Sequence, residues 1–149
     1  MRRVRRFIRY ACGARRLVNT INWQKIGTTV EAIVDADHAG CITSRKSTSG
    51  GSIRVNKAYI LVYSVTQSTV ALSSRESEFL VMVAGFLELL YVANIMRTMG
   101  FKVEHLQIYS DSSAARGSIG RLGVGMKVKH ICTNNLLVQN LTDEGVVAV

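Results

Sequence analysis

Four acidic residues stand at the ends of apolar segments, where side chains from buried elements reach solvent. Asp35 follows "TTVEAIV", Glu76 and Glu78 open a long apolar segment, and Asp111 follows "LQIYS". Carboxylates that cluster repel one another unless a cation neutralises them, and hard oxygen ligands select Mg²⁺ or Mn²⁺. A cluster of this kind suits metal-assisted attack of water on a phosphodiester. Aspartates at strand ends also serve as turn formers, so spacing alone leaves both interpretations open.

The elements that must position these acids are predicted from hydrophobic periodicity and from turn residues. "TTVEAIVD" is typical of a β-strand, and "HAGCITSRKSTSGG" of a polar loop. Two further strands are predicted in "SIRVNKAYILVYSVTQSTVAL", turning near Asn56 and Lys57. "SSRESEF" carries a capping-box signal for a helix from about Ser74 to Met99, ended by Gly100. The remainder predicts a strand, a short helix, a last helix and a terminal strand, in "HLQIYSD", "SSAARGSIGRL", "KVKHICTNNLLVQNLTDEG" and "VVAV".

This order of elements predicts an α/β fold, in which a mixed sheet carries helices on its faces. In open α/β sheets, ligands bind beyond the carboxyl ends of the strands. Asp35 and Asp111 then lie side by side if their strands are adjacent and parallel, and a glutamate from the covering helix reaches the same spot. The local pattern does not choose between Glu76 and Glu78, because that helix is apolar on every side.

The apolar segment over residues 79–96 is about long enough to span a membrane. Glu88 lies near its middle, however, where an acid costs about 2.5–3.5 kcal/mol on insertion. A helix that is apolar nearly all round is also typical of the core of a protein. We therefore predict a buried core helix and no membrane partner.

The net charge of +9 is concentrated at the N-terminus. Eight of the 19 basic residues precede residue 26, and the first acid is Glu31. Helical spacing of apolar residues predicts an amphipathic basic helix here, with Val4, Phe7, Ile8 and Ala11 on one face. Such a helix suits contact with nucleic acid, with an anionic membrane or with a neighbouring protein surface. We divide the chain into a basic helical leader, residues 1–30, and a domain over residues 31–149.

The composition indicates one globular domain of ordinary size. Of the 149 residues, 48% are hydrophobic and 19% are charged, which excludes a disordered chain. Cys12, Cys41 and Cys132 are odd in number and form neither a CxxC pair nor a zinc spacing. We expect reduced thiols in an intracellular protein, in the cytoplasm or the nucleus.

Five short motifs occur in a fixed order: "VDADHAG", "RKSTSGG", "QSTVALSSRESEF", "IYSDSSAA" and "KHI". Together they resemble the ribonuclease H domain at the C-terminal end of the polyprotein of copia-type retrotransposons. The usual forms there are D-A-D-W-A-G, R-K-S-T-S-G, Q-P-T-V-A-L-S-S-T-E-A-E-Y, Y-C-D-N-Q-S-A and T-K-H-I-D. The leader "VRRFIRYACGARRL" is similar to the helix that links reverse transcriptase to this domain, so the resemblance covers almost the whole chain.

The resemblance implies a ribonuclease H-like fold, with a five-stranded mixed sheet flanked by helices. It implies an endonuclease that cleaves the RNA strand of RNA–DNA hybrids, with Mg²⁺ (or Mn²⁺) as its metal and no small-molecule cofactor. The catalytic and metal-binding residues would be Asp35, Glu78 and Asp111, and the resemblance chooses Glu78 over Glu76. Asp37 is interpreted as a residue that either supports a metal ligand without touching the metal or orders the loop. The implied partners are the hybrid and the reverse transcriptase segment of the same polyprotein.

One departure from the motifs bears on activity. The family places an aspartate after K-H-I as the fourth carboxylate, whereas this chain has Cys132, and a thiol is a poor ligand for Mg²⁺. Asp143 lies 11 residues further along the predicted helix, about 16 Å away, and cannot substitute. The alternative function is therefore a catalytically impaired remnant that still binds nucleic acid.

Basic residues in two of the motifs are candidates for contact with the phosphates of the hybrid. They are Arg45 and Lys46 in "SRKSTSG", and Lys129 with His130 in "KHI". Singly, such basic residues are usually solvated charges, and a histidine before a helix is as often a cap or a surface residue with its hydrogen bonds satisfied.

Overall fold

The structure is a computed structural model that describes residues 2–14, 16, 18, 20–25, 27–113 and 148. Within these residues the chain forms two helices and four strands, whose order agrees with the sequence prediction. They are α1 (Arg2–Gly13), β1 (Thr29–Ala36), β2 (Thr48–Val55), β3 (Ala58–Thr66), α2 (Ser74–Thr98) and β4 (His105–Tyr109). Of the predicted short helix in "SSAARGSIGRL", the structure describes only Ser112 and Ser113, and the predicted last helix lies outside the described residues.

The sheet is mixed, with the strand order β3-β2-β1-β4. β1 pairs antiparallel with β2 and parallel with β4, which places the strands of Asp35 and Asp111 next to each other as predicted. The described residues give four strands and not the five that the resemblance implied. The far side of β4 carries one further backbone partner: Ala148 donates to the Leu106 carbonyl and accepts from the Ile108 amide, both at 2.9 Å. This parallel bridge falls within the predicted terminal segment "VVAV", of which only Ala148 is described.

β2 begins earlier than its sequence predicts. Residues 48–51, "TSGG", were predicted as loop but form the first half of the strand. Glycine and serine have low strand propensity, yet this segment lies between β1 and β3 and hydrogen-bonds to both, so tertiary pairing outweighs local preference. The small residue is also required at Gly51, because a Cβ there would overlap the ring of its cross-strand partner Tyr63.

Helix α2 is the core helix of the domain. Ser73 is its N-cap, and the chain leaves the helix through Met99 and then Gly100, whose φ of +86° is the left-handed conformation expected of a C′ glycine. Among the described residues it is the one helix long and apolar enough to cross a membrane. However, 56% of its apolar 18-residue stretch is buried within the fold. Its largest fully buried side chains, Met82, Phe86 and Leu89, pack with Ile53 and Ile108 from the sheet.

Helix α1 confirms the predicted basic helix, and its apolar side chains are exposed. Val4, Phe7 and Ile8 are 61%, 69% and 53% exposed, so the described residues leave this face largely uncovered. The end of the leader contacts the β2–β3 turn: the side-chain amide of Asn56 donates to the Lys25 carbonyl at 2.9 Å.

Gly85 fixes the separation between α2 and the strands beneath it. A Cβ at this position would overlap Cγ1 of Val34 in β1 and would lie 3.4 Å from Cδ1 of Ile108 in β4. Both neighbours are buried, so neither has open space to move into. The absence of a side chain at Gly85 therefore lets the helix approach β1 and β4, the strands whose C-terminal ends position Asp35 and Asp111.

We predict that Gly85→Ala destabilises the fold. Alanine favours a helix over glycine by about 1 kcal/mol, but overpacking a tight core costs about 1–3 kcal/mol, and the stiff β-branched Val34 cannot rotate away easily. The net loss in the free energy of unfolding should be measurable by urea denaturation. A gain in stability would show that the helix and sheet are packed less closely here.

Candidate metal centre

Three carboxylates converge at one end of the sheet. One carboxylate oxygen from each of Asp35, Glu78 and Asp111 lies within 4.8 Å of the others. The two aspartates are exposed, whereas Glu78 is only 8% exposed. The convergence predicted from strand order and from the family motifs is therefore present in the structure.

The backbone explains why the two aspartates meet. The parallel pairing of β1 with β4 runs in register from Thr29↔His105 to Ile33↔Tyr109. Asp35 and Asp111 each stand two residues beyond that last pair, at the same end of the sheet. Adjacent parallel strands that end together deliver their following side chains to one place.

Helix α2 separates the two glutamates that sequence alone could not distinguish. The N–H of Glu76 donates to the Ser73 side chain at 3.2 Å, and its carboxylate accepts from the Leu72 N–H at 2.8 Å. Glu76 thus takes the acidic position of a capping box. Glu78 lies about 200° further round the helix, at about 100° per residue, and turns toward the sheet.

The environment of Glu78 disfavours its charge. Burial raises the pKa of this carboxyl, and the nearby Asp35 and Asp111 raise it further, opposed by a backbone hydrogen bond from Ala36. Its Oε2 is buried and has no hydrogen-bond partner. A buried acceptor without a partner is uncommon in folded proteins and calls for a specific explanation.

A divalent cation fits this set of donors. Three carboxylates supply the hard oxygen ligands that Mg²⁺ and Mn²⁺ prefer. A cation held by Asp35, Glu78 and Asp111 would offset their mutual repulsion and give the Glu78 Oε2 a partner. The residues do not by themselves distinguish one hard divalent cation from another.

We predict that Glu78→Gln stabilises the protein when a chelator removes divalent cations. The amide keeps the size of the side chain and removes the disfavoured charge, and single stabilising changes are commonly worth about 0.5–2 kcal/mol. Because the pKa of Glu78 is raised in the fold, its destabilising effect develops as pH rises above the ordinary value of about 4.3. The gain should therefore grow as pH rises from about 4 toward neutrality and vanish near pH 3.

Urea denaturation at the two pH values measures this difference. Glu88→Gln, on the same helix and outside the cluster, is the matched control and should change stability by less than about 0.5 kcal/mol. A loss of stability in Glu78→Gln at neutral pH would mean that the carboxylate makes favourable contacts in the metal-free fold.

Asp37 orders the loop that follows β1. Its carboxylate accepts a hydrogen bond from the Thr48 N–H, and its own N–H donates to the Thr48 carbonyl at 3.1 Å. A Cβ at Gly40 would overlap the Asp37 carboxylate, so the loop closes tightly over this side chain. Asp37 is not part of the three-carboxylate cluster.

The same loop carries two of the predicted phosphate contacts. Arg45 is exposed with a φ of +56°, and Lys46 is half-buried. The loop begins directly after Ala36, the last residue of β1, so both basic residues lie at the end of the sheet where the carboxylates meet. Contact with nucleic acid stays a prediction for both.

A network of buried polar side chains lies next to the three carboxylates, and it was not predicted from the sequence. Ser47 is fully buried, its hydroxyl accepts from the Ala39 N–H at 3.0 Å, and its carbonyl accepts from the Gln67 N–H at 2.8 Å. The Gln67 side-chain amide donates to the Ser49 hydroxyl at 3.0 Å and to the Ser77 carbonyl at 2.9 Å. The polar motifs "RKSTSG" and "QSTVALSS" could have indicated this network, because buried polar residues at strand ends need hydrogen-bond partners.

Three positions that the sequence singled out lie outside the described residues. They are Lys129 and His130, predicted to contact nucleic acid, and Cys132, at the position of the family's fourth carboxylate.

Comparison with known proteins connects the chain to retrotransposons. It is 25% identical over 115 residues to the "Retrovirus-related Pol polyprotein from transposon TNT 1-94" of Nicotiana tabacum. The aligned region covers 77% of this chain and 9% of that polyprotein, so the chain corresponds to a small part of its relative. No protein-family model matches the chain. The similarity supports a relationship to the Pol polyprotein of a retrotransposon.

Proposed function

We propose that the chain is a ribonuclease H-like domain that hydrolyses the RNA strand of RNA–DNA hybrids with Mg²⁺ or Mn²⁺. The observation that carries the proposal is the convergence of Asp35, Glu78 and Asp111 at one end of the sheet, where one carboxylate oxygen of each lies within 4.8 Å of the others. The similarity to a retrotransposon Pol polyprotein supports it at the level of the whole polyprotein. The motifs that resemble ribonuclease H include all three acids.

Each part of the cluster would have a distinct role. The exposed carboxylates of Asp35 and Asp111 would hold the cation at the surface, where a nucleic acid backbone has access. Glu78, fixed by the first turns of α2, would anchor it from the buried side. A bound divalent cation stabilises charge that develops on the phosphate oxygens and activates water as a nucleophile.

Substrate contact would come from the basic residues at the same end of the sheet. Arg45 and Lys46 supply positive charge in the loop that follows Asp35, and phosphate contacts of this kind weaken as salt rises. Discrimination of RNA from DNA would rest on the 2′-hydroxyl. The reverse transcriptase segment of the same polyprotein is the proposed neighbour of the leader helix α1.

The alternative function is binding without efficient cleavage. Cys132 in "KHIC" replaces the carboxylate that the family places there, which would leave one metal weakly held. This alternative predicts salt-dependent binding of the hybrid with little turnover in Mg²⁺.

A cleavage assay separates the two. An end-labelled RNA strand is annealed to DNA and incubated with the protein in Mg²⁺, in Mn²⁺ or in chelator, beside a DNA duplex of the same sequence. The proposal expects cutting of the hybrid RNA alone, and only with a divalent cation. Cutting in chelator, or equal cutting of the DNA duplex, would contradict it.

A further inference from the structure

Gln67 joins helix α2 to the sheet beside the three carboxylates. It follows directly after β3, and its side chain is buried. Its Nε2 donates to the Ser49 hydroxyl in β2 at 3.0 Å and to the Ser77 carbonyl in α2 at 2.9 Å. One side-chain amide therefore links a strand to the first turn of the helix, and we call this contact the amide link.

Both ends of the amide link adjoin a residue of the metal centre. Ser77 is fully buried and directly precedes Glu78 in the chain. Ser49 is the cross-strand partner of Ala36, which directly follows Asp35. The amide link thus ties the backbone next to Glu78 to the strand pair next to Asp35.

The amide link leaves the carboxylates themselves free. It ends on a backbone carbonyl and on a hydroxyl, so neither oxygen of Glu78 takes part in it. Glu78 also accepts a backbone hydrogen bond from Ala36, but a cation would compete for that carboxylate. A contact that holds the helix by its backbone persists when the carboxylate binds a metal.

The partners of Gln67 fix the orientation of its amide. The Ser77 carbonyl can only accept, so nitrogen and oxygen are not interchangeable. Oε1 is buried without a hydrogen-bond partner, which costs stability. Methionine has the same length and would avoid that cost, but it could not donate to either partner. The amide therefore contributes directed bonds that apolar packing cannot supply.

We propose that Gln67 is a positioning residue of the metal centre, which sets the place of Glu78 relative to Asp35 without touching the metal. The inference rests on the metal centre of the proposed function. Residues that orient metal ligands are worth about 10–100-fold in metal affinity. Without the amide link, the apolar contacts along α2 remain, but they are non-directional and hold the first turn of the helix less firmly in place.

Ser47 belongs to the same network but not to the amide link. Its carbonyl accepts from the Gln67 N–H at 2.8 Å, and its hydroxyl accepts from the Ala39 N–H at 3.0 Å. Ser47→Ala removes the hydroxyl contact to the loop and leaves both bonds of the Gln67 amide in place. It is therefore the control for the loss of any buried polar contact in this region.

The Mn²⁺ affinity of Gln67→Met tests the proposal. The electron paramagnetic resonance signal of free Mn²⁺ measures binding without turnover, and thermal unfolding of the same samples confirms that each variant is folded. We expect the dissociation constant of Mn²⁺ to rise by about tenfold or more in Gln67→Met. In Ser47→Ala it should change by less than about twofold.

Ser49→Ala tests the amide link from its other end. It removes one of the two bonds, so the affinity for Mn²⁺ should fall by about fivefold. Because the two residues act through one contact, adding Ser49→Ala to Gln67→Met should cause little further loss. Ser49→Ala also keeps the proposal testable should Gln67→Met fail to fold.

Val92→Ala controls for a general loss of stability. Val92 is buried in α2, 14 residues beyond Glu78 and about 21 Å along the helix. The variant should lower the unfolding temperature and leave the Mn²⁺ affinity unchanged. Unchanged affinity in folded Gln67→Met, or an equal loss in Val92→Ala, would overturn the proposal. Failure of the unaltered protein to bind Mn²⁺ would instead overturn the metal centre itself, and this inference with it.

Discussion

Asp35→Asn should reduce cleavage of the hybrid RNA by at least about 10³-fold. A metal stabilises transition-state charge by several kcal/mol, and each 1.36 kcal/mol is a factor of ten in rate. Asparagine keeps the size of the side chain but removes the charge from a cluster of three carboxylates, whose members lie within 4.8 Å of one another. The loss should appear in Mg²⁺ and in Mn²⁺, measured as the initial rate of cleavage of an end-labelled strand.

Asp37→Asn is the matched control for this prediction. The two aspartates stand two residues apart in "VDADHAG", but Asp37 accepts a hydrogen bond from the Thr48 N–H and lies outside the cluster. The asparagine Oδ1 can accept the same bond, so the rate should change by less than about fivefold, a difference of about 1 kcal/mol. Equal losses in the two variants would show that the motif acts through the loop and not through a metal.

Cys132→Asp should raise the activity of the chain. The resemblance places Cys132 where the family has its fourth carboxylate, and aspartate would replace a soft thiol with a hard oxygen ligand. Changes around a metal site alter affinity by about 10–100-fold, so the concentration of Mg²⁺ needed for half-maximal rate should fall by about tenfold or more. The gain in rate should be largest at low Mg²⁺ and shrink at saturation, because added affinity matters only while the site is partly empty.

Two comparisons make this second prediction specific. Cys12→Asp places the same substitution on the exposed face of α1, away from the sheet, and should leave the Mg²⁺ dependence unchanged. The protein with Cys132 should work better in Mn²⁺ than in Mg²⁺, since Mn²⁺ tolerates a poorer set of ligands. An unchanged Mg²⁺ dependence in Cys132→Asp would mean that the segment "KHIC" does not bring its side chain to the cluster.

The pairing of Asp35 with Asp111 was predictable because it follows from chain order. A strand, two antiparallel strands, a helix and a returning strand favour a neighbouring parallel position for the last strand. The acids stand at the C-terminal ends of these two strands, Asp35 within β1 and Asp111 two residues after β4. The choice of Glu78 over Glu76 was not predictable from periodicity, since α2 is apolar all round. It depends on where the carboxylate of Glu76 finds a donor, which is the Leu72 N–H.

Features that depend on side-chain packing between different elements could not be predicted from the sequence. The start of β2 at Thr48 was missed because its glycine and serine residues are explained only by Tyr63, which crosses Gly51 from the neighbouring strand. Local patterns encode which face of an element is buried, but not the shape of the space between two elements.

The measurement that tests the central claim most directly is a titration of ¹⁵N-labelled protein with Mn²⁺. Bound Mn²⁺ is paramagnetic and broadens nearby resonances, so it reports the position of the metal without requiring turnover. We expect the amide signals next to Asp35, Glu78 and Asp111 to broaden first, and excess Mg²⁺ to restore them. The triple variant Asp35→Asn, Glu78→Gln, Asp111→Asn should lose the effect. Broadening centred elsewhere, or unchanged in the triple variant, would contradict the assignment of these three carboxylates as a metal centre.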